Sequence, residues 1–154
     1  MILSYDDFCS MGFRASNEDA AMIERAIADT ELFFVKNVVG ADSYADMLTA
    51  EQGTDYWYAV NGTSTMAGVK VAIGHFAFAT MLLDNLNWTR TGSVKKRDDY
   101  STPADEDNIY KLQRYHYTIG KRYMDEVCDF LGIKPNYNIN YLNEYEQWTG
   151  KMSL

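Results

Sequence analysis

The sequence predicts an all-α fold: a small helical bundle with two long antiparallel helices joined by an extended loop, plus a C-terminal arm. The segment Ser64 to Asn87 is apolar on nearly every side, and only a core-facing helix tolerates such a surface. Helical periodicity is lost over residues 87–105 and returns from Glu106 to Leu131. We expect helices over at least residues 17–38, 66–86 and 106–131, with the last two packed together.

The N-terminal part carries signals for short helices. Ser4 can cap a helix from Tyr5 to Met11, and Gly12 can stop it. A further short helix is expected over residues 42–52, ended by Gly53. The residues expected on its inner face are Tyr44, Ala45 and Leu48.

The second helix has the strongest start and stop signals. Ser16 and Asp19 form an S-x-x-D box that can satisfy free amides of the first turn, and Gly40 can end the helix. Apolar residues at helical spacing predict a wide buried face. One stripe of that face comprises Ala20, Ile23, Ile27, Phe34 and Val38, and a second comprises Ala28, Leu32, Val35 and Val39.

Both long C-terminal helices show apolar positions at helical spacing. In the first, Gly68 and Gly74 allow close approach of a neighbouring element, at a cost in helix propensity. Gly132 can cap the second, and Pro135 prevents its continuation. The apolar face of this second helix is expected to comprise Ile109, Leu112, His116, Ile119, Tyr123, Val127 and Phe130. We expect Phe76, Leu83 and Ile119 to be fully buried.

Length and composition indicate a folded chain of ordinary size. A length of 154 residues suits a helical domain, residues 1–132, followed by an aromatic arm, residues 133–154. The longest low-charge run, Val71 to Leu83, is too short to span a bilayer, and the N-terminus lacks a signal-peptide pattern, so no membrane partner is expected. Cys9 and Cys128 have apolar neighbours and are interpreted as small buried hydrophobes.

The negative charge is concentrated in the first half of the chain. The net charge is −8, and residues 1–68 account for all of it, because residues 69–154 carry eleven charges of each sign. Phosphate binding needs Lys and Arg, so this balance argues against specific nucleic-acid binding. Acidic surface that merely maintains solubility explains the same pattern.

No catalytic motif is apparent, and the sequence predicts neither an enzyme nor a bound cofactor or metal. Ala72 and Gln113 stand three residues before His75 and His116, so the Glu-x-x-His metal signature of helical bundles is absent. Neither a nucleophile motif nor a phosphate-binding glycine loop occurs. Both histidines are interpreted as core or interface residues.

Two segments outside the periodic helices carry the interface predictions. The loop has a basic run, Lys95 to Arg97, beside Asp98 and Asp99. This run is either a solvated loop tip or a docking element for an acidic protein or DNA. The arm packs on its own domain or on another chain. Predicted interface residues in the loop are Arg90, Val94, Lys95, Lys96, Arg97 and Tyr100. Those in the arm are Tyr137, Ile139, Tyr141, Tyr145 and Trp148.

Residues 1–132 resemble the head–tail connector (adaptor) proteins of tailed bacteriophages. The resemblance lies in a short opening helix (LSYDDFCSMG), an acid-capped helix (NEDAAMIERAIADTELFF) and an apolar helix (GVKVAIGHFAFATMLLDN). After it come a loop with Gly92, Val94 and Lys95, a Ser-Thr-Pro helix start, and the helix IYKLQRYHYTIGKRYMDEVCDFL. The arm after Pro135 is not part of the resemblance.

The resemblance implies a structural virion protein at the head–tail junction, made in the host cytoplasm. Such proteins form homo-oligomeric rings, usually twelve-fold, between the portal protein and the tail or a second ring protein. Packaged DNA passes through the lumen without being specifically bound, and an acidic first half would suit that lumen. The alternative is a small helical adaptor or regulator that binds a single partner protein. The mass of the assembly would distinguish the two.

Overall fold

A computed structural model describes residues 1–13, 20–84, 86–88, 94–96 and 106–137, with side chains described over 1–13, 20–82 and 109–137. Within these ranges the chain is mostly helical and belongs to the all-α class. The helices are α1 Tyr5–Ser10, α2 Ala20–Thr30, a π-helical segment Glu31–Val35, α3 Lys36–Val39, α4 Ala41–Leu48, α5 Asp55–Asn61, α6 Val69–Asp84 and α7 Glu106–Leu131. Two short strands are β1 Leu86–Trp88 and β2 Val94–Lys96.

The predicted start of α1 is confirmed. The Ser4 side chain accepts a hydrogen bond from the Asp7 amide at 3.1 Å, which satisfies one free donor of the first turn. The helix ends at Ser10, one residue before the predicted end, and Gly12 follows with a φ of 76°.

The predicted second helix corresponds to α2, the π-helical segment and α3, which follow one another without a break until Gly40. Gly40 has a φ of 87°, a conformation that glycine adopts without strain. Of the predicted face, the buried residues are Ile23, Ile27, Val35, Val38 and Val39. Ala20, Ala28 and Leu32 are exposed, so the prediction is wrong at these positions, because the helix turns Ala26, Thr30 and Glu31 toward the core instead. The proposed capping box lies outside the described residues.

Glu31, at the start of the π-helical segment, ties the N-terminus to the bundle. Its carboxylate is buried and accepts hydrogen bonds from the backbone amides of Ile2 (2.7 Å) and Leu3 (3.0 Å). Its other oxygen accepts a hydrogen bond from the Tyr44 hydroxyl at 3.0 Å. Three donors replace the water that this carboxylate loses on burial.

The predicted inner face of α4 is wrong at two of its three positions. Tyr44 is half-buried, but Ala45 and Leu48 are exposed and Met47 is buried instead. The hydrogen bond from Tyr44 to Glu31 fixes the rotation of this short helix, and Met47 then faces the core. The aromatic segment that follows, with Tyr56, Trp57 and Tyr58, forms α5.

Helix α6 is buried on nearly every side, as its sequence predicts, and none of residues 69–82 is exposed. It begins at Val69, after Gly68, whose φ of 80° places that glycine before the helix rather than within it. Gly74 permits the predicted close approach, since a Cβ there would lie 2.7 Å from the Met11 sulfur.

Helix α7 spans the predicted residues and ends in the expected glycine cap. The amides of Gly132 and Ile133 donate to the carbonyls of Asp129 and Cys128, the pair of bonds that defines a Schellman motif. Helices α6 and α7 pack against each other, with the Phe76 ring against Gly120.

The buried face of α7 differs from the predicted one. Ile119 is only half-buried, and Leu112 and Phe130 are exposed, so the prediction is wrong at these positions. Phe76 of α6 packs against Gly120, on another side of α7, and this contact leaves the large apolar residues on a flank of the helix. Among residues 109–131 of α7, whose side chains the structure describes, the buried ones are Gln113, Gly120, Met124, Val127 and Cys128. Phe76 is buried as predicted, and the side chain of Leu83 lies outside the described residues.

The segment after α6 contains two paired strands that were not among the predicted elements. Strands β1 and β2 pair antiparallel, with Asn87 opposite Lys95. The β-favouring residues Trp88 and Val94 flank a short segment with Gly92, which is a hairpin signal.

The burial predicted for the two cysteines is confirmed for one and wrong for the other. Cys128 is buried as expected, whereas Cys9 is exposed, because it points away from the core face on which Phe8 lies. Both thiols are free.

In the part of the chain that the structure describes, no helix is long and apolar enough to cross a membrane.

Candidate functional site

The two histidines of the chain form a direct pair between α6 and α7. The Nδ1 atoms of His75 and His116 lie 2.9 Å apart, which is a hydrogen-bond distance. One ring must donate and the other accept, so at least one of the two rings is neutral in this arrangement.

Aromatic side chains surround this histidine pair on the surface of the bundle. Phe13, from the segment after α1, has its ring centroid 5.2 Å from those of both His75 and Phe78. Phe78 meets His116 edge-on at 4.7 Å. We call the complete set the aromatic–histidine cluster; it comprises Phe13, His75, Phe78, Tyr115, His116 and Tyr123.

The apolar surroundings keep both histidines neutral. Burial, with a smaller contribution from the adjacent His116, lowers the pKa of His75 to about 4. Burial also lowers the pKa of His116. A neutral imidazole can bind a metal, but the part of the chain that the structure describes contains no group of three or more His, Cys, Asp or Glu residues suited to one.

A stripe of apolar side chains extends from the cluster along the outer flank of α7. Leu112, Tyr115 and Phe130 are 42%, 59% and 45% exposed. Ile119 and Tyr123 lie between them in sequence and are half-buried. These five residues, the α7 stripe, recur at helical spacing and share one side of the helix over about 27 Å. An exposed apolar surface of this extent is typical of an interaction site.

The charge around the α7 stripe has one sign over its first half. Residues 109–123 contain four basic residues and no acidic one. Lys111, Arg114 and Arg122 are exposed. Arg122 pairs with Glu126, one turn further along, at 3.1 Å.

The structure describes only part of the loop that the sequence analysis predicted as an interface. Val94, Lys95 and Lys96 form strand β2, and Arg90, Arg97 and Tyr100 lie outside the described residues. Contact of this loop with another chain stays a prediction.

Of the predicted arm residues, only Tyr137 is described, and it packs on its own domain. Its hydroxyl donates to Asp125 of α7 at 2.5 Å, and Lys121 lies over its ring, 4.7 Å from the centroid. The amide of Asn136 donates to the carbonyl of Val38 in α3. Ile139, Tyr141, Tyr145 and Trp148 lie outside the described residues, so for them an interface role stays a prediction.

The sequence pattern indicated a core or interface position for each histidine, but it did not indicate that the two histidines form a pair. They are 41 residues apart, and only the packing of α6 on α7 pairs them. Phe13 was missed altogether, because it follows Gly12 outside any periodic pattern. The one available signal was Gly74, where α6 admits Met11 and Phe13.

The fold and this surface define a small helical protein with an uncovered apolar flank. Comparison with family models places residues 23–147 in a family described as a family of unknown function, DUF6712. The match covers most of the chain, so the protein belongs to the DUF6712 family. No curated protein and no solved structure matches the chain significantly.

Proposed function

We propose that this protein is a structural, non-enzymatic virion component: the subunit of a ring between the portal and the tail of a tailed bacteriophage. In this proposal the ring has about twelve copies, as the resemblance to head–tail connectors implies, and DNA passes through its lumen. The portal protein and a tail or second ring protein are its neighbours. Its two long helices run antiparallel, with the intervening loop and the C-terminal arm directed at those neighbours.

The α7 stripe is the observation that supports this proposal most. An isolated subunit leaves Leu112, Tyr115 and Phe130 in water, where their apolar surface has no favourable partner. Burial in a protein contact would stabilise an assembly by roughly 25 cal/mol for each Å² of apolar surface removed from water.

A second set of exposed apolar residues favours a ring over a simple dimer. Leu32, Phe33, Leu48 and Tyr58 are between 38% and 49% exposed, and all belong to the first half of the chain. A ring needs two different faces on each subunit, whereas a two-fold dimer uses the same face twice. A small adaptor that binds one partner would also need only one face.

The mass and shape of the purified full-length chain test the proposal. We expect light scattering to give a mass many times that of the 17.6 kDa chain, and negative-stain images to show rings with a central opening. A stable dimer would support the single-partner adaptor instead. A monomer at every concentration, with or without a phage portal, would contradict the ring.

A further inference from the structure

Helices α4 and α5 present a surface whose charge is opposite to that of residues 109–123 of α7. Residues 41–58 contain four acidic residues and no basic one. Asp42, Asp46, Glu51 and Asp55 are all exposed. Among the residues that the structure describes, none of these carboxylates forms an ion pair.

The same surface also exposes apolar side chains. Leu48 is 45% exposed and Tyr58 is 38% exposed. Ala41 and Ala45 are exposed as well and share one side of α4 with Leu48, because their spacing follows the helical repeat. We call residues 41–58 the acidic face; it combines an apolar centre with a negatively charged surround.

Residues 109–123 of α7, the basic face, have the corresponding properties with the charge reversed. Leu112 and Tyr115 are exposed, and Lys111 and Arg114 adjoin them in sequence. Each face thus has two large exposed apolar residues within a segment that carries four charges of one sign. Interfaces combine apolar anchors with charges that select the partner and its orientation in this way.

We propose that the basic face of one copy binds the acidic face of a second copy, in a head-to-tail contact. The inference rests on the proposed function for the existence of a ring, and it adds the two surfaces that would join neighbouring subunits. The opposite charges favour a second copy as the partner, because its acidic face attracts the basic face of the first copy. Two basic faces or two acidic faces would repel each other, which excludes a contact between identical faces. A contact between different faces repeats from copy to copy, as a closed ring requires.

An exchange of charges between the two faces provides the test. One variant carries Lys111→Glu and Arg114→Glu, and the other carries Asp46→Lys and Glu51→Lys. Each variant alone should associate roughly tenfold or more weakly than the wild type, because reversing two of the four charges leaves the altered face without a net charge and places like charges opposite each other at the substituted positions. An equimolar mixture should recover association, since the unaltered basic face of one variant meets the unaltered acidic face of the other, and the two altered faces carry exchanged charges at the substituted positions. Sedimentation velocity at low and high salt measures all three samples.

The controls separate the proposed contact from general effects of charge and folding. A matched variant, Glu24→Lys with Asp129→Lys, changes the net charge by the same amount as Asp46→Lys with Glu51→Lys, but on exposed positions outside both faces. It should associate like the wild type. Circular dichroism should show native helix content for every variant, because all the altered side chains are exposed.

The possible outcomes test the proposed contact and the proposed ring separately. If the wild type assembles and the reversed variants assemble equally well, the proposed contact is wrong and the ring survives. If the Lys111→Glu and Arg114→Glu variant fails to associate with the Asp46→Lys and Glu51→Lys variant while the wild type assembles, the head-to-tail contact is overturned, because the mixture offers one unaltered basic face and one unaltered acidic face. A wild type that remains monomeric under all conditions would overturn both.

Discussion

Phe76 illustrates how single residues hold the two long helices together. Its side chain is 2% exposed, stacks on Phe34 with a centroid distance of 5.0 Å, and lies against the backbone at Gly120. The absence of a side chain at Gly120 is what allows the ring to lie so close to α7.

Truncation of Phe76 tests this packing. We expect Phe76→Ala to lower the free energy of unfolding by about 3–5 kcal/mol, because it removes a buried ring and leaves a cavity. Urea denaturation measures the change. Phe130→Ala, at an exposed position of α7, should cost about 0.5 kcal/mol or less. Equal losses for the two variants would contradict the burial described for Phe76.

Glu31 has a comparable role at the N-terminus. We expect Glu31→Ala to lower the free energy of unfolding by about 3 kcal/mol, because two backbone amides and the Tyr44 hydroxyl lose their acceptor. Glu24→Ala, on the exposed side of α2, is the matched control and should change stability by about 0.5 kcal/mol or less. A loss of that small size for Glu31→Ala would mean that the three hydrogen bonds contribute little to stability.

The histidine pair predicts a specific dependence of stability on pH. The pKa of His75 is about 4 in the fold and about 6.5 in an unfolded chain. The unfolded chain therefore binds a proton more readily, and the stability that the neutral ring provides is present above pH 6.5 and is lost as the pH falls toward 4. Thermal melts across this range should show a falling melting temperature.

Two variants isolate the contribution of the histidine pair. His75→Phe should make the melting temperature less dependent on pH between 6.5 and 4, because it removes one titrating ring. Tyr123→Phe, which keeps the pair and changes only a neighbouring hydroxyl, should retain the wild-type dependence. An unchanged pH dependence in His75→Phe would show that protonation of His75 does not oppose folding.

At the scale of elements, the existence of the helices could be predicted much better than their orientation. The bounds of α7 and the cap of α1 follow from local signals, namely periodicity, Ser4 and Gly132. The face that α7 buries depends on a distant partner, since Phe76 of α6 packs at Gly120. The periodicity of large apolar residues predicted that α7 buries Leu112, Ile119 and Phe130. The helix instead packs against α6 through the side that contains Gly120.

The C-terminal arm divides into two parts at Tyr137. Residues 136 and 137 bind α3 and α7 of the same chain, so a deletion that removes them would damage the domain itself. We expect deletion of residues 138–154 to leave a folded monomer that assembles poorly or fails to capture its partner, because it removes Tyr141, Tyr145 and Trp148. Circular dichroism and light scattering on the same sample measure both properties.

Either of two results would revise this view of the arm. A truncated chain that does not fold would assign residues 138–154 to the core of the domain. A truncated chain that folds and assembles normally would place the interface elsewhere, with the α7 stripe as the foremost candidate.

For the whole molecule, composition and periodicity were sufficient to predict the helical class. They could not predict the aromatic–histidine cluster, because it joins Phe13, His75 and His116 from three distant parts of the chain. The concentration of negative charge in the first half was visible in the sequence. The structure was needed to show that the acidic residues of 41–58 and three of the four basic residues of 109–123 are exposed, so that the two segments can form faces of opposite charge.

One measurement tests most directly whether the α7 stripe is an assembly surface. It compares the sedimentation of the wild type with that of a double variant that carries both Leu112→Ser and Tyr115→Ser. Both side chains are exposed, so the variant should keep the wild-type melting temperature. We expect the wild type to sediment as a large oligomer and the variant as a 17.6 kDa monomer. Identical sedimentation of the two folded proteins would contradict the assignment of this surface to assembly.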